Sequence, residues 1–466
     1  MKKQADAGWH VLFVVIVCFA LLTACAPVAA PTAGDAVIGG EVIELTLITG
    51  PWWNGITGKE DPATATQEDW WKFMGEEYKK INPNVSLKLE IVPWGDLTQK
   101  MNVAVSTQSW PDLFIHATSE VVKYAEQGVV EPIDDYLAKA GDDVNDFFPT
   151  ALEQSSLGGK TYCWPWNGYG TLLVINRAIF KERGIEDLLP GADGQWTYEQ
   201  FLAAAKATTF DRDGDGTTDV YGFGMGFKEN SGDYQRYSFL QGMGASLFGA
   251  DGKSYGFDSP EAIQGLQFLA DLEHQEQAML PGSASLGWSD IDDAFVQKRV
   301  AMIMGAQWWN KGRVDQLLAQ GTIKEGDLDI YPALPPRAEG IDPKRTYAGV
   351  DCVGVMLQKD AAKREAAMAF AQWFTNAENQ HWNTAAAYLP VRKSAANMYS
   401  DDPFMAWLST YAFEYAHPDG VHPALYDTRT VLTPALQEVM SQQKSAEQAL
   451  TEVRPQIEEI IAKYAK

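Results

Sequence analysis

Val42-Ile43-Glu44-Leu45-Thr46-Leu47-Ile48-Thr49 is the stretch on which the fold turns. It is rich in β-branched residues and runs into Gly50-Pro51-Trp52-Trp53-Asn54-Gly55, so it reads as a strand ending in a loop. From Glu68 to Ile81, Trp71, Met74, Tyr78 and Ile81 recur at steps of three and four, which predicts a helix with one apolar face. Asn82-Pro83 stops it. Val85 to Val92 alternates as a second strand, Asp96 to Thr107 reads as a helix, and Pro111 to Ala117 as a third strand. This alternation predicts a parallel sheet covered by helices.

Further on, Gly159 to Asn176 is aromatic and extended. Thr197 to Thr208 is a helix capped by Thr197 with Gln200 three residues on. Pro260 to Gln275 and Lys359 to Thr375 are amphipathic helices, and Val300 to Met304 and Val350 to Leu357 are buried strands. Thr433 to Lys466 is helical with an interruption at Pro455. There is no internal repeat.

The chain begins with Lys2 and Lys3, an apolar run from Val11 to Leu22, and Leu22-Thr23-Ala24-Cys25. That is a secretory signal with a lipobox. The run is short of the roughly 20 residues a membrane span needs. Residues 1–24 are therefore expected to be removed, and Cys25 to carry lipid at the extracytoplasmic face of a membrane. Residues 25–41, rich in Ala, Pro and Gly, are a flexible spacer.

From about residue 42 the chain is long enough for two domains. A net charge of −25 argues against nucleic acid, which calls for a basic face. Of the four cysteines, Cys18 lies in the signal and Cys25 is the lipid site. Cys163 and Cys352 remain; outside the cytoplasm a disulfide is permitted, and two buried thiols are the reading favoured. No Cys/His cluster has zinc spacing.

Several short stretches occur in a familiar order. They are Tyr78-Lys79-Lys80-Ile81-Asn82-Pro83-Asn84-Val85, Pro111-Asp112-Leu113-Phe114 and Gly128-Val129-Val130-Glu131-Pro132-Ile133-Asp134. Gly159-Lys160-Thr161-Tyr162, Ile175-Asn176-Arg177, Trp196-Thr197 and Ala301-Met302-Ile303-Met304-Gly305 follow, then Leu389-Pro390-Val391-Arg392 and Ser445-Ala446-Glu447-Gln448-Ala449-Leu450. In these the mature chain resembles the extracellular solute-binding proteins that deliver sugars to ABC importers. The resemblance implies an α/β, two-lobed periplasmic-binding-protein-like fold of type II, with parallel-type sheets flanked by helices and a hinged cleft. Residues 42–167 plus 349–392 would form one lobe, and 168–348 plus 393–466 the other. The chain would cross near Trp166 to Tyr169 and return near Ala348 to Val350. A sugar or oligosaccharide is the implied ligand. The implied partners are the permease subunits and, through Cys25, the membrane. The protein is read as a monomer with no nucleic-acid partner.

Sixteen tryptophans suit such a ligand. An indole stacks on the C–H face of a sugar while carboxylates, amides and Arg bind its hydroxyl rim. Trp71, Trp373 and Trp407 fall on apolar helix faces and read as packing. Trp52 and Trp53 instead follow a parallel strand, where ligands of α/β sheets bind. His116 and Glu120 follow the third strand in the same way. Trp166 and Tyr169 are the choices from the first crossing, where Trp164 and Asn167 also lie. By resemblance, Gln307 and Trp308 stand where the second lobe supplies a stacking Trp. The family commonly has Gly-Pro-Trp there, so the adjacent Trp309 competes and Trp308 is favoured. Asp351, at the return crossing, can bind two hydroxyls or serve as a turn residue. Arg429 comes from the loop before the terminal helices.

Asp211-Arg212-Asp213-Gly214-Asp215-Gly216-Thr217-Thr218-Asp219 repeats oxygen ligands at alternate positions, like the first nine of an EF-hand loop. Asp211, Asp213, Asp215, the Thr217 carbonyl and Asp219 would form most of a shell for a structural Ca²⁺. Gly222 stands where the twelfth-position Glu is expected. No other cofactor is required. The rival to a binding protein is a secreted carbohydrate-active enzyme of the glycoside-hydrolase class, which would also use Trp and carboxylates. No catalytic carboxylate pair, Gly-x-Ser-x-Gly elbow, phosphate loop or His-Glu-x-x-His stands out. A cell-surface scaffold would show repeats, which are absent from the sequence.

Overall fold

The computed structural model describes residues 42–464 apart from 62, 141–142 and 231. The signal segment, the spacer and Cys25 lie outside them. The opening strand forms as read: β1 (Ile43–Thr49) pairs in parallel with β2 (Val85–Ile91) and β3 (Leu113–Ala117). Between them, α1 (Glu68–Ile81) buries Trp70, Trp71, Met74 and Tyr78 against this sheet. Ile81, assigned to the same apolar face by its spacing, is 59% exposed because the helix ends there. α2 (Trp94–Ser106) starts two residues before the expected Asp96, directly after Pro93. α3 (Thr118–Glu126) follows β3 without a loop.

β4 (Ser156–Leu157) and β5 (Lys160–Thr161) form a small hairpin leading into β6 (Cys163–Asn176), a strand of 14 residues. β7 (Tyr221–Gly224), β8 (Val300–Ala306), β9 (Ile330–Ala333) and β10 (Ala348–Val355) complete the strands among the described residues. The main sheet runs β2-β1-β3-β10-β6-β8-β7, with β9 also on β6. It is mixed rather than purely parallel: β10 runs antiparallel to both β3 and β6. The chain comes back along the path by which it left, so the returning strand must oppose the outgoing one.

β6 makes the molecule two-lobed. Cys163 to Gly170 pair with β10, whereas Thr171 to Asn176 pair with β8 and β9. One core gathers Leu45, Leu47, Trp70, Trp71, Ile115 and the helix Ala361–Phe374. Another gathers Leu173, Phe223, Met302 and the terminal helices through Leu432, Leu436, Leu450 and Ile457. Those terminal helices are three: Leu425–Met440, with Pro434 inside, Ala446–Glu452 and Arg454–Ala462. The last begins with Pro455 in its first turn, where the missing N–H is no loss.

The two crossing strands pack tightly. A Cβ on Gly170 would lie 2.6 Å from the Ala412 Cβ, so only glycine fits there. Asp351 pairs with Asn167 and Cys352 with Pro165, leaving Trp166 as the extra residue of a β-bulge. Cys163 and Cys352 are disulfide-bonded, with Cα atoms 5.7 Å apart. This corrects the expectation of two buried thiols, since strand pairing brings together residues 189 apart in sequence.

Candidate ligand-binding cleft

The carboxyl ends of β1, β2 and β3 bring one set of rings together. Trp52 is half-buried; its Nε1 donates to Thr49 Oγ1 at 2.7 Å. Its ring meets Trp94 at 4.9 Å, Trp166 at 4.7 Å and Tyr388 at 5.5 Å, all edge-on. Trp53 turns the other way, against Trp70 at 4.5 Å, in the first lobe's core. Trp166 lies in that core too, stacked on Trp70 at 5.7 Å, with its carbonyl accepting from Gln380 Nε2 and Asn383 Nδ2. The bulge places its ring behind Trp52.

His116 is buried at the end of β3, and its Nδ1 accepts from the Ala117 N–H at 2.7 Å. Burial pushes its pKa down to about 4, so it is neutral at physiological pH. Its ring meets Trp94 at 5.5 Å and, at 90°, Tyr426 at 5.7 Å. Glu120 sits in the first turn of α3, fully buried, with Lys123 Nζ 2.9 Å from each carboxylate oxygen and Thr98 Oγ1 at 3.0 Å. Burial pushes its pKa up, but Lys123, His116 and these bonds bring it below the ordinary value. Its charge is already matched inside the protein.

The crossing strands supply the centre. Asn167 is fully buried and neither its Nδ2 nor its Oδ1 has a partner. Opposite it, burial pushes the Asp351 carboxyl pKa well up, toward the protonated form. Tyr169 Oη is 3.1 Å from Tyr347 Oη, which is 3.1 Å from Tyr426 Oη. Tyr234 stacks on Tyr347 at 4.8 Å.

After β8, Gln307 Oε1 accepts from the Gly170 N–H at 3.4 Å. Trp308 is half-buried with an unpartnered Nε1, while Trp309 is fully buried against Phe295 at 4.8 Å. Arg429 lies not in a loop but in the helix Leu425–Met440, its guanidinium 3.7 Å over the Tyr426 ring and its Nε 3.0 Å from Asp233 Oδ2.

A chain of ring contacts therefore runs Tyr388–Trp52–Trp94–His116–Tyr426. Tyr426 passes it by hydroxyl contact to Tyr347, which stacks on Tyr234. Sequence reasoning missed Trp94, Tyr234, Tyr347, Tyr388 and Tyr426. Trp94 had a signal, since it follows the second strand as Trp52 follows the first. Tyr347 adjoins the return strand. The other three carry no local mark.

The acidic loop folds as a set of backbone-capped turns. The Asp211, Asp213 and Asp215 carboxylates each bring an oxygen within 4.8 Å of the others. Asp211 accepts from the Gly214 and Gly216 N–H groups, both at 2.6 Å, and the Gly216 bond most of all holds its pKa below the ordinary value. Asp219 turns its Oδ2 to the Arg212 N–H at 2.7 Å and the Asp213 N–H at 3.3 Å. Asp215 Oδ1 accepts from the Thr217 N–H at 2.7 Å.

Two α/β lobes joined by long crossing strands, with rings and unpartnered polar groups buried at the crossing, define a two-lobed binding protein. The sequence profile of the bacterial extracellular solute-binding proteins matches residues 63–381, and the chain belongs to that family. A Brucella abortus (strain 2308) protein named as a binding protein is 28% identical over 328 residues, covering 69% of this chain and 74% of its own. The maltotriose-binding protein of Pyrococcus abyssi is 25% identical over 307 residues, 65% of this chain and 58% of its own. In fold the chain is similar to an ABC substrate-binding protein from Listeria monocytogenes in complex with cycloalternan, with a TM-score of 0.71 at 19% identity, covering 91% of this chain and all of that one. No helix among the described residues is long and apolar enough to cross a membrane.

Proposed function

We propose that this protein is an extracytoplasmic receptor that captures a sugar or oligosaccharide and delivers it to the permease subunits of an ABC importer, tethered by lipid on Cys25. The observation that carries this reading is the row of rings between the lobes, beside Asn167, Asp351, Asp233 and the Trp308 indole, whose polar atoms are buried. Ring faces pack on sugar C–H groups, and unpartnered buried groups are what hydroxyls satisfy. The maltotriose-binding relative supports a saccharide ligand.

The groups assigned to the ligand are Trp52, His116, Tyr169, Gln307, Trp308, Asp351 and Arg429, with Trp94 at the rim. Trp53, Trp166 and Glu120 belong behind them and hold this surface in place. The lobe bounds remain 42–167 plus 349–392 and 168–348 plus 393–466; the change of partners along β6 supports them. Closure about the crossing strands is a hinge motion. The protein acts as a monomer and has no chemistry of its own. The Asp211–Asp219 loop takes a structural Ca²⁺, through Asp211, Asp213, Asp215 and the Thr217 carbonyl, with Asp219 turning in when metal is present.

Thermal-shift and calorimetric titration with a saccharide panel headed by maltotriose tests the reading. Ligand at a hundred times its Kd adds about 2.7 kcal/mol. Stoichiometric binding without turnover supports a receptor; release of shorter saccharides would make the protein a hydrolase. Cys25→Ser should leave the membrane fraction or accumulate as precursor, and an unlipidated mature chain starting elsewhere would remove the anchor.

A further inference from the structure

Asp233 opens the helix Asp233–Gly242, after Gly232 in the left-handed region at φ 85°. Its side chain is fully buried, yet neither carboxylate oxygen has a hydrogen-bond donor. Both of its oxygens are themselves shut off from solvent. Arg429 supplies charge but not a directed bond: its Nε is 3.0 Å from Oδ2 and is itself without a partner. A structural Arg–carboxylate tie often closes as a two-pronged fork. Here the guanidinium is turned over Tyr426 instead. A buried, ionisable group with empty lone pairs demands an account.

Its surroundings point to one. Tyr234, the next residue, stacks on Tyr347, which reaches Tyr169 and Tyr426 by hydroxyl contacts. Asp233 thus lies where the ring row crosses into the second lobe. Two carboxylate oxygens match two neighbouring hydroxyls, and a guanidinium beside them can donate to a hydroxyl oxygen.

Building on the sugar-receptor reading, we propose that Asp233 is a specificity-determining residue of the cleft: its carboxylate accepts hydrogen bonds from two adjacent hydroxyls of one sugar unit, and Arg429 donates to one of their oxygens. The pair then selects for a neutral sugar with a vicinal diol at that position. Sugars lacking either hydroxyl would leave the carboxylate buried and unsatisfied, so deoxy analogues should bind less tightly.

The test uses the full chain. Calorimetry with maltose, maltotriose, cellobiose and diacetylchitobiose identifies the tightest binder, and its mono-deoxy analogues are then titrated into parent and Asp233→Asn protein. We expect Asp233→Asn to weaken the sugar at least about tenfold, the scale of a bond to a charged group. One or two deoxy analogues should bind the parent about tenfold worse, yet cost Asp233→Asn less than about threefold. A merely structural pair would weaken all analogues by one common factor, and that result, or unchanged affinity, overturns the proposal while leaving the sugar reading intact. If the parent binds none of the four, the sugar reading and this proposal fall together. Should Asp233→Asn not fold, Asp233→Glu replaces it: a changed rank order of the analogues supports the assignment, and an unchanged one overturns it.

Discussion

Cys163 on β6 and Cys352 on β10 are covalently joined, so the two strands that run between the lobes cannot slip past one another. The bond lies next to the bulge that sets Asn167 opposite Asp351. It closes a loop spanning 189 residues, for which chain entropy predicts a stabilisation of about 5 kcal/mol, with removal of native disulfides typically costing about 2–5. Cys163→Ala with Cys352→Ala should therefore melt well below the parent in calorimetry, and reductant should lower the parent's melting point toward the variant's. Equal melting points would show that strand pairing alone holds the crossing.

The three tryptophans of the loops should separate by readout. Trp53 is 9% exposed against Trp70, so Trp53→Ala opens a core cavity and should cost about 3–5 kcal/mol of stability. Trp52→Ala and Trp308→Ala remove half-buried rings assigned to the proposed cleft and should weaken a cognate sugar at least about tenfold, or about 1.4 kcal/mol, with a smaller loss of stability. Denaturant melts and titration calorimetry on the same preparations decide; affinity intact in both cleft variants would place the ligand elsewhere.

Asp292 offers a pH test. It accepts from Trp309 Nε1 at 3.2 Å, and burial pushes its pKa up to about 6. The folded state thus holds this proton more tightly than the unfolded chain. The resulting stabilisation is fully present below about pH 4 and is lost as pH rises through about 6. Asp292→Asn keeps an acceptor for the indole and never ionises. It should be more stable than the parent at pH 7, by on the order of 1–3 kcal/mol, with the gap closing toward pH 4. A constant gap across that range would mean the carboxyl titrates normally.

Calcium should raise the melting temperature of carefully stripped protein, and Asp213→Ala with Asp215→Ala should abolish the rise. Sugar affinity should be unchanged, since this loop packs with Glu182 and the Lys298 carbonyl rather than with the ring row. No calcium response in the parent would leave the three carboxylates as solvated turn residues.

β2 and α1 were legible because each has one wetter and one drier face, which writes a period into the sequence, whereas β1 was legible from its β-branched residues and the loop that ends it. α3 was not read as a helix although Val121, Val122, Tyr124 and Ala125 recur at helical steps; its polar residues Glu120 and Lys123 pair with each other, and every residue from Thr118 to Ala125 is buried. The helix Asp233–Gly242 is likewise buried along most of its length, so no wet face writes a period there.

Local chemistry in the sequence determined the signal and lipobox expectation, the strand-helix-strand start, the order of motifs that resembles the family, and the carboxylate spacing of residues 211–219. Each of these is read from short local stretches and from their order along the chain. Only the tertiary structure decided which tryptophans are buried in a core and which stay half-buried, that Cys163 bonds Cys352, that Glu120 is already matched by Lys123, and that Arg429 leaves Asp233 unsatisfied. Except for Glu120 with Lys123, those relations join segments far apart in the chain, and they exist because β6 and β10 cross between two cores. Periodicity reports whether a side chain faces protein or water, but not which distant side chain it will face.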